Sequence, residues 1–163
     1  MGDYIETIQL DYNPQEITYE ELLKMFFDNH SPEYNVAVRQ YMSAIFYHDE
    51  KQQKAALEAL ELARQKRGIK IYTLIMPYKK LYLAETYHQK YYLQLVDVLK
   101  NDIKSYYPNF IDFINSTASA RINGYLKGMG TMERLAEEFE DLGLSDKGKK
   151  RLIEIVDSYQ EGR

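Results

Sequence analysis

The sequence predicts an α+β fold that consists of a core domain and a smaller helical region. Two short segments, 43–47 and 69–76, are apolar and rich in aromatic or β-branched residues, as strands are. Between them, residues 50–67 place alanine and leucine on one face of an amphipathic helix. Later in the chain only helical patterns occur, so we expect an α+β domain at 1–104 and a helical region at 105–163.

The first part of the chain also contains a predicted strand and a helix with a clear start signal. Residues 4–10 alternate in the period of two that is typical of a strand. Thr18 followed by Glu21 forms the sequence pattern of a capping box, and a helix from this point should end near Asn29. Asp49 is a suitable N-cap for the helix over 50–67.

Three helices are predicted in the carboxy-terminal region. Their approximate bounds are 108–126, 132–142 and 146–159, with Thr131 and Ser145 as N-caps of the last two. Their leucine, isoleucine and phenylalanine side chains suffice for a small helical core.

Composition excludes several classes of function. The net charge of -4 is spread over both signs, so we expect no nucleic-acid partner. Apolar runs are far shorter than the roughly 20 residues of a membrane-spanning helix, and the polar start does not resemble a signal peptide. We therefore expect a soluble cytoplasmic protein. With no cysteine, the chain has no disulfide, thiolate metal site or thiol redox chemistry of its own. Its three histidines lack metal-ligand spacing, so we expect no metal and no cofactor.

Four segments, in order, resemble one enzyme family. Residues 40–50, QYMSAIFYHDE, are similar to the QYRSAIFYHDE signature of the A-type peptide methionine sulfoxide reductases. Residues 84–91, AETYHQKY, are similar to that family's AEDYHQDY. Residues 10–14 and 17–23, LDYNP and ITYEELL, are similar to its VEYDP and ISYEELL. The family's GCFWG segment, which carries the nucleophilic cysteine, has no counterpart in the sequence.

The resemblance implies a ferredoxin-like two-layer sandwich without its first strand and first helix. In the family that strand lies inside the sheet and carries the cysteine. Its absence would leave strand edges and apolar surface uncovered, a state that proteins normally avoid. We therefore expect a homo-oligomer, a cysteine-bearing partner chain or the carboxy-terminal helices to cover the gap.

The resemblance also implies a set of site residues. The reductases attack the sulfoxide sulfur with a thiolate while a carboxylic acid protonates the departing oxygen. An ungapped register places Glu6 at the position of that acid, and Tyr41 matches a tyrosine that holds the sulfoxide oxygen. Asn35, Tyr87 and His88 match further polar residues of the family's motifs. Taken alone, Glu6 could face solvent and His88 could be structural.

Several functions stay open from the sequence. The first is a pseudoenzyme that binds methionine sulfoxide or a similar group, or that acts in assembly. The second is one part of an active reductase whose cysteine segment comes from another chain. The third is a different acid-base enzyme on the same scaffold, since carboxylates, tyrosines and histidine suffice for such chemistry. We expect no thiol-based catalysis from this chain alone.

Overall fold

The computed structural model describes residues 4–161 and divides into two compact units between Leu81 and Tyr82. The first unit contains, in order, α1 (Tyr19–Asp28), β1 (Ala44–Tyr47), α2 (Glu50–Arg67) and β2 (Leu74–Pro77). The second unit contains α3 (Tyr91–Gln94), α4 (Asp97–Tyr106), α5 (Phe110–Asn115), α6 (Thr117–Leu126), α7 (Met132–Glu138) and α8 (Asp146–Glu161). Short 3₁₀ turns occur at Arg39–Tyr41, Thr86–His88 and Phe139–Leu142.

The sheet of the first unit is a parallel pair. β1 and β2 run side by side with Ala44 opposite Leu74 and Tyr47 opposite Pro77, and α2 connects them. The Leu74 N–H donates to the Ser43 carbonyl at 2.9 Å, which extends the ladder just beyond β1. This strand–helix–strand unit and the helices around it are consistent with the predicted α+β class.

Local signals in the sequence explain where the helices of the first unit begin and end. The Thr18 side chain accepts from the Glu21 N–H and the Glu21 carboxylate accepts from the Thr18 N–H, which completes the predicted capping box. The Asp49 carboxylate caps α2 through the Gln52 N–H at 2.8 Å. Gly68 ends α2 in a left-handed conformation, with φ of 64°.

Both helices of the first unit pack their apolar faces into one core. It also includes residues from the sheet and its approach, and its buried members are Leu23, Phe27, Ile45, Ala56, Leu60, Ala63 and Ile71. The second unit has a core of its own, formed by Leu93, Leu99, Ile103, Phe113, Ile114, Ile122, Tyr125, Leu126, Leu135, Leu142, Leu144, Leu152 and Val156. Within each unit, burial of these side chains holds the helices in place.

Three strand predictions are corrected by the structure. Residues 4–10 form no strand; the Glu6 N–H bonds to the Gln40 carbonyl, but Gln40 lies in a 3₁₀ turn and offers no continuous ladder. The strand predicted at 69–76 is confined to β2, because only there does the backbone run beside β1. β1 is not buried on both faces: Ile45 is buried and its three neighbours in the strand are half-buried.

Two helix predictions are corrected in the second unit. The helix predicted at 108–126 is two helices, because Ser116 has an extended backbone and caps α6 by accepting from the Ser119 N–H. The helix predicted at 132–142 tightens into a 3₁₀ turn after Glu138. Thr131 caps α7 as predicted, and the Ser145 hydroxyl accepts from the Gly148 N–H in the first turn of α8.

The two compact units do not follow the predicted domain limits. The predicted boundary after residue 104 falls within α4, whereas the chain divides by packing after Leu81. The division into domains at 1–104 and 105–163 stays a prediction. Among the described residues, no helix is both long and apolar enough to cross a membrane.

Candidate functional site

Glu6 and Gln40 are held together although 34 positions separate them in the sequence. The Glu6 N–H donates to the Gln40 carbonyl at 2.9 Å. The Gln40 side-chain amide donates to the Glu6 carboxylate at 2.7 Å. These two hydrogen bonds between distant chain segments hold the exposed Glu6 beside the 3₁₀ turn that contains Tyr41.

Tyr41 and Asn35 both face solvent in the same unit. The Tyr41 side chain is 59% exposed, so its phenol is accessible to a ligand. Asn35 is exposed in the loop that precedes the turn. The structure therefore places Glu6 next to the turn of Tyr41, on an open surface where a side chain of another protein can reach them.

Tyr87 and His88 belong to the second unit and form a pair of their own. They lie in the 3₁₀ turn Thr86–His88, with ring centroids 4.2 Å apart and a tilt of 44°. Tyr87 is 60% exposed. The structure thus divides the predicted site residues into a set of three in the first unit and a pair in the second.

A hydrogen-bonded chain of side chains links His30, Ser43 and Thr73, and sequence patterns did not indicate it. His30 Nδ1 lies against the Phe26 carbonyl, which can only accept, so Nδ1 is the donor and, in a neutral ring, Nε2 is the acceptor. Nε2 lies 2.9 Å from Ser43 Oγ, and Ser43 Oγ lies 2.9 Å from Thr73 Oγ1. The chain links the end of α1 to the approaches of both strands.

This arrangement gives the hydroxyl groups of Ser43 and Thr73 a hydrogen-bond partner each. With Nε2 as acceptor, Ser43 donates to His30 and accepts from Thr73. Thr73 is only 5% exposed. A serine beside a histidine also occurs in nucleophilic catalysis, but the partners here lie between packed elements, so a structural role explains all the contacts. His30 and Ser43 are 13 positions apart, and Ser43 and Thr73 are 30 positions apart. These spacings form no recognisable sequence pattern.

Tyr19 is a second polar group that the sequence did not indicate. Its hydroxyl is buried and has no hydrogen-bond partner among residues 4–161. Burial raises the pKa of the Tyr19 phenol, and the charges of Tyr12 and Asp49 add to the effect. The phenol is therefore a neutral donor over the whole physiological pH range.

Cavities in the second unit are lined by other residues. One, of about 270 Å³, is bordered by Val98 and four residues of α8; the other, of about 310 Å³, is lined by Thr117, Ala118, Arg121, Glu138, Asp141 and Leu142. None of the predicted site residues borders either cavity. Within the described part of the chain, no group of three or more histidine or carboxylate residues is arranged to hold a metal ion.

Comparison with known proteins shows the family. The family model for peptide methionine sulfoxide reductase matches residues 1–112. A peptide methionine sulfoxide reductase of Drosophila melanogaster is 39% identical over 150 residues, which cover 89% of this chain and 58% of that protein. The reductase MsrA of Sulfolobus acidocaldarius is 39% identical over 94 residues, or 55% of this chain and 53% of that protein.

A plant relative shows the same extent of similarity. Peptide methionine sulfoxide reductase A2 of Arabidopsis thaliana is 39% identical over 94 residues, which are 55% of this chain and 43% of that protein. The chain spans about half the length of these curated relatives. Because the two units are nearly equal in length, the similarity to the Drosophila protein reaches into both of them. On the match over residues 1–112, the chain belongs to the peptide methionine sulfoxide reductase family.

Proposed function

We propose that this chain is a cysteine-free binding protein of the reductase family, which recognises methionine sulfoxide or a similar polar side chain without reducing it. The observation that carries the proposal is the membership of the family together with the absence of cysteine from all 163 residues. Reduction of a sulfoxide in this family requires a thiolate, so recognition is the part of the activity that the chain itself can retain.

The surface around Glu6 and Tyr41 supports such recognition. A sulfoxide oxygen is a strong hydrogen-bond acceptor. The exposed Tyr41 phenol is a donor that can exchange a hydrogen bond to water for one to this oxygen. The bonds between Glu6 and Gln40 hold both residues in position before a ligand arrives. Asn35 adds an amide from the preceding loop, and Tyr87 with His88 forms the candidate contact surface of the second unit.

A matched pair of peptides tests the proposal. A peptide that contains one methionine sulfoxide should bind more tightly than the same peptide with methionine, as measured by calorimetry or by amide chemical shifts. Tyr41→Phe should weaken the binding of the sulfoxide peptide about tenfold through loss of one hydrogen bond. Tyr34→Phe is the control, since Tyr34 is a tyrosine of the same region and is 67% exposed.

Two results would overturn the proposal. One is equal affinity for the oxidised and reduced peptides. The other is an equal effect of Tyr41→Phe and Tyr34→Phe. The same sulfoxide peptide incubated with a dithiol should remain oxidised, because the chain offers no nucleophile that could pass electrons to sulfur.

A second candidate function is one part of an active reductase, completed by a cysteine-bearing chain. The parallel pair of β1 and β2 favours it, since among the described residues each of these strands is an edge strand with no neighbouring strand on its outer side. Several apolar side chains near the amino end, including those of Ile8 and Leu10, are also exposed. A further strand would satisfy these groups.

Reconstitution distinguishes the two candidates. The part of the Drosophila relative that lies outside the match can be added to this chain together with a sulfoxide peptide and a dithiol. Reduction by the mixture, but by neither component alone, supports the two-chain enzyme. Light scattering at low and high protein concentration separately tests the proposal of a homo-oligomer: a mass that stays at 19.3 kDa contradicts it.

A further inference from the structure

The cavity between α4 and α8 is lined mainly by cations. Its five lining residues are Val98, Lys147, Lys150, Arg151 and Glu154. Three of the five are positively charged and one is negative. The four charged residues recur at intervals of three and four along α8, so they share one face of that helix, and Val98 on α4 supplies an apolar wall.

Two of these cations have no partner in the described part of the chain. Arg151 Nη1 lies 3.2 Å from the Glu154 carboxylate, which partly neutralises both groups. The adjacent Lys149 is paired with Glu140 at 2.7 Å. For Lys147 and Lys150, by contrast, the described residues provide no ion pair and no side-chain hydrogen bond. The cavity therefore has an excess of uncompensated positive charge.

The position of the charges on α8 is unfavourable for the helix itself. The segment 147–151 carries four cations and no anion, and it begins at the second residue of α8. The amino end of a helix has partial positive charge, which disfavours cations there. The Asp102 carboxylate lies just before this helix end, where it accepts from both the N–H and the hydroxyl of Ser145. Helix stability alone does not explain this charge pattern.

We propose that the cavity between α4 and α8 binds a small phosphate monoester, with Lys147, Lys150 and Arg151 on the phosphate and Val98 against its organic substituent. Lysine ammonium groups and the planar guanidinium are the side chains that bind phosphate. The volume of about 270 Å³ accommodates a phosphate group and a small substituent. This site lies in the second unit and does not depend on the proposed recognition of sulfoxides.

Titration with phenyl phosphate and with inorganic phosphate, followed by amide chemical shifts, tests the site. Both should give saturable shifts of residues 147–154, and phenyl phosphate should bind more tightly because its ring contacts Val98. Sodium chloride at the same ionic strength should not reproduce these shifts, since screening alone is not saturable. Lys147→Gln/Lys150→Gln should weaken binding about tenfold or more through the loss of two charge-assisted contacts.

A matched variant on α2 controls for net charge. Lys51→Gln/Lys54→Gln removes two exposed lysines with the same spacing on a helix and should leave phosphate binding unchanged. The Lys147→Gln/Lys150→Gln protein should unfold at a temperature no lower than that of the wild type, because it loses cations near a helix amino end. Failure of this variant to bind therefore reports on the site and not on folding.

Three results would overturn the proposal: shifts that chloride reproduces, shifts that do not saturate, or binding that the α8 double variant retains. A phosphorylated lipid carries the same chemical group as a soluble monoester. Co-sedimentation with vesicles of phosphatidylcholine and phosphatidic acid distinguishes the two sources. Capture that depends on Lys147 and Lys150 assigns the phosphate to a lipid head group, and saturable binding of phenyl phosphate without capture assigns it to a soluble molecule.

Discussion

The Asp102 carboxylate lies so close to Gly148 that a Cβ atom at position 148 would be 2.0 Å from Oδ2. Asp102 Oδ2 also accepts from the Ser145 N–H at 3.0 Å and from the Ser145 hydroxyl at 2.8 Å. Gly148→Ala would force the carboxylate away from Ser145. We expect this change to lower the free energy of unfolding by about 1 kcal/mol, measured by urea denaturation, because the hydrogen bonds from Ser145 to Asp102 are lost.

Gly124→Ala is the control for this prediction. Gly124 lies in α6 with nothing within 4 Å of the position a Cβ would occupy, so alanine should stabilise by up to about 1 kcal/mol. In an Asp102→Ala background the obstacle at position 148 is gone, and Gly148→Ala should then stabilise as well. Additive effects of the Asp102 and Gly148 changes would contradict the close approach as the cause.

Ser119 and Ser116 should respond to alanine in opposite directions. Ser119 is fully buried in α6, and its hydroxyl has no partner within residues 4–161. Ser119→Ala should raise the free energy of unfolding by about 1 kcal/mol, because it removes an unsatisfied buried group. Ser116→Ala should lower it by about 1 kcal/mol, since Ser116 caps α6. Amide hydrogen exchange in α6 measures both, and a stability loss in both variants would contradict the assignment.

Acid should weaken the capping box of α1. The N–H and the hydroxyl of Thr18 both donate to the Glu21 carboxylate, and these bonds hold the pKa of that carboxyl below its ordinary value. The bond from the N–H has the larger effect. Because the pKa is lower in the folded state, the contribution of Glu21 is fully present above the ordinary pKa. It is lost as the pH falls through the lowered value. Glu21→Gln keeps the shape of the side chain but cannot ionise.

Urea denaturation of the wild type and of Glu21→Gln over a range of pH measures this effect. The wild type should be more stable at neutral pH, and the difference between the two proteins should shrink on acidification. A difference that is the same at neutral and strongly acidic pH would show that ionisation of Glu21 does not contribute.

His30→Ala should destabilise the first unit. The substitution removes the acceptor of Ser43 and the donor to the Phe26 carbonyl, and it leaves half-buried polar groups unpaired. We expect a loss of about 1–3 kcal/mol, measured by chemical denaturation. His88→Ala is the control: His88 is exposed, its ring contacts Tyr87, and the change should fall within about 0.5 kcal/mol. Equal losses would contradict the role of the hydrogen-bonded chain.

Helix ends were predictable where the capping residue acts on backbone groups only a few positions away in the sequence. Thr18 with Glu21, Asp49, Gly68 and Thr131 each act through backbone groups close by in sequence, and the helix bounds that they predict agree with α1, α2 and α7 at those ends. The split at Ser116 was missed because the same serine is tolerated inside a helix, and only the backbone geometry shows that it is a cap.

Strands were predicted less well because a strand depends on a partner far away in sequence. Residues 4–10 alternate as a strand does, yet pairing decides the outcome, and Gln40 provides a single backbone bond to Glu6 instead of a ladder. Among the candidate site residues, the resemblance to the family indicated Tyr41 through a motif and Glu6 through an ungapped register. It could not indicate that Gln40 joins them, or that His30, Ser43 and Thr73 are linked, since these contacts arise from the fold alone.

The parallel pairing of β1 with β2 also constrains the order in which the first unit folds. Each residue of β1 pairs with a residue 30 positions later, as Ala44 does with Leu74, whereas the α-helices on either side close through contacts of three or four positions. On the ribosome, β1 leaves the exit tunnel before its partner strand does, because the chain emerges amino end first. The amphipathic α2 can form during that interval, so a nascent chain that has emerged only as far as residue 67 carries a completed helix and an unpaired strand.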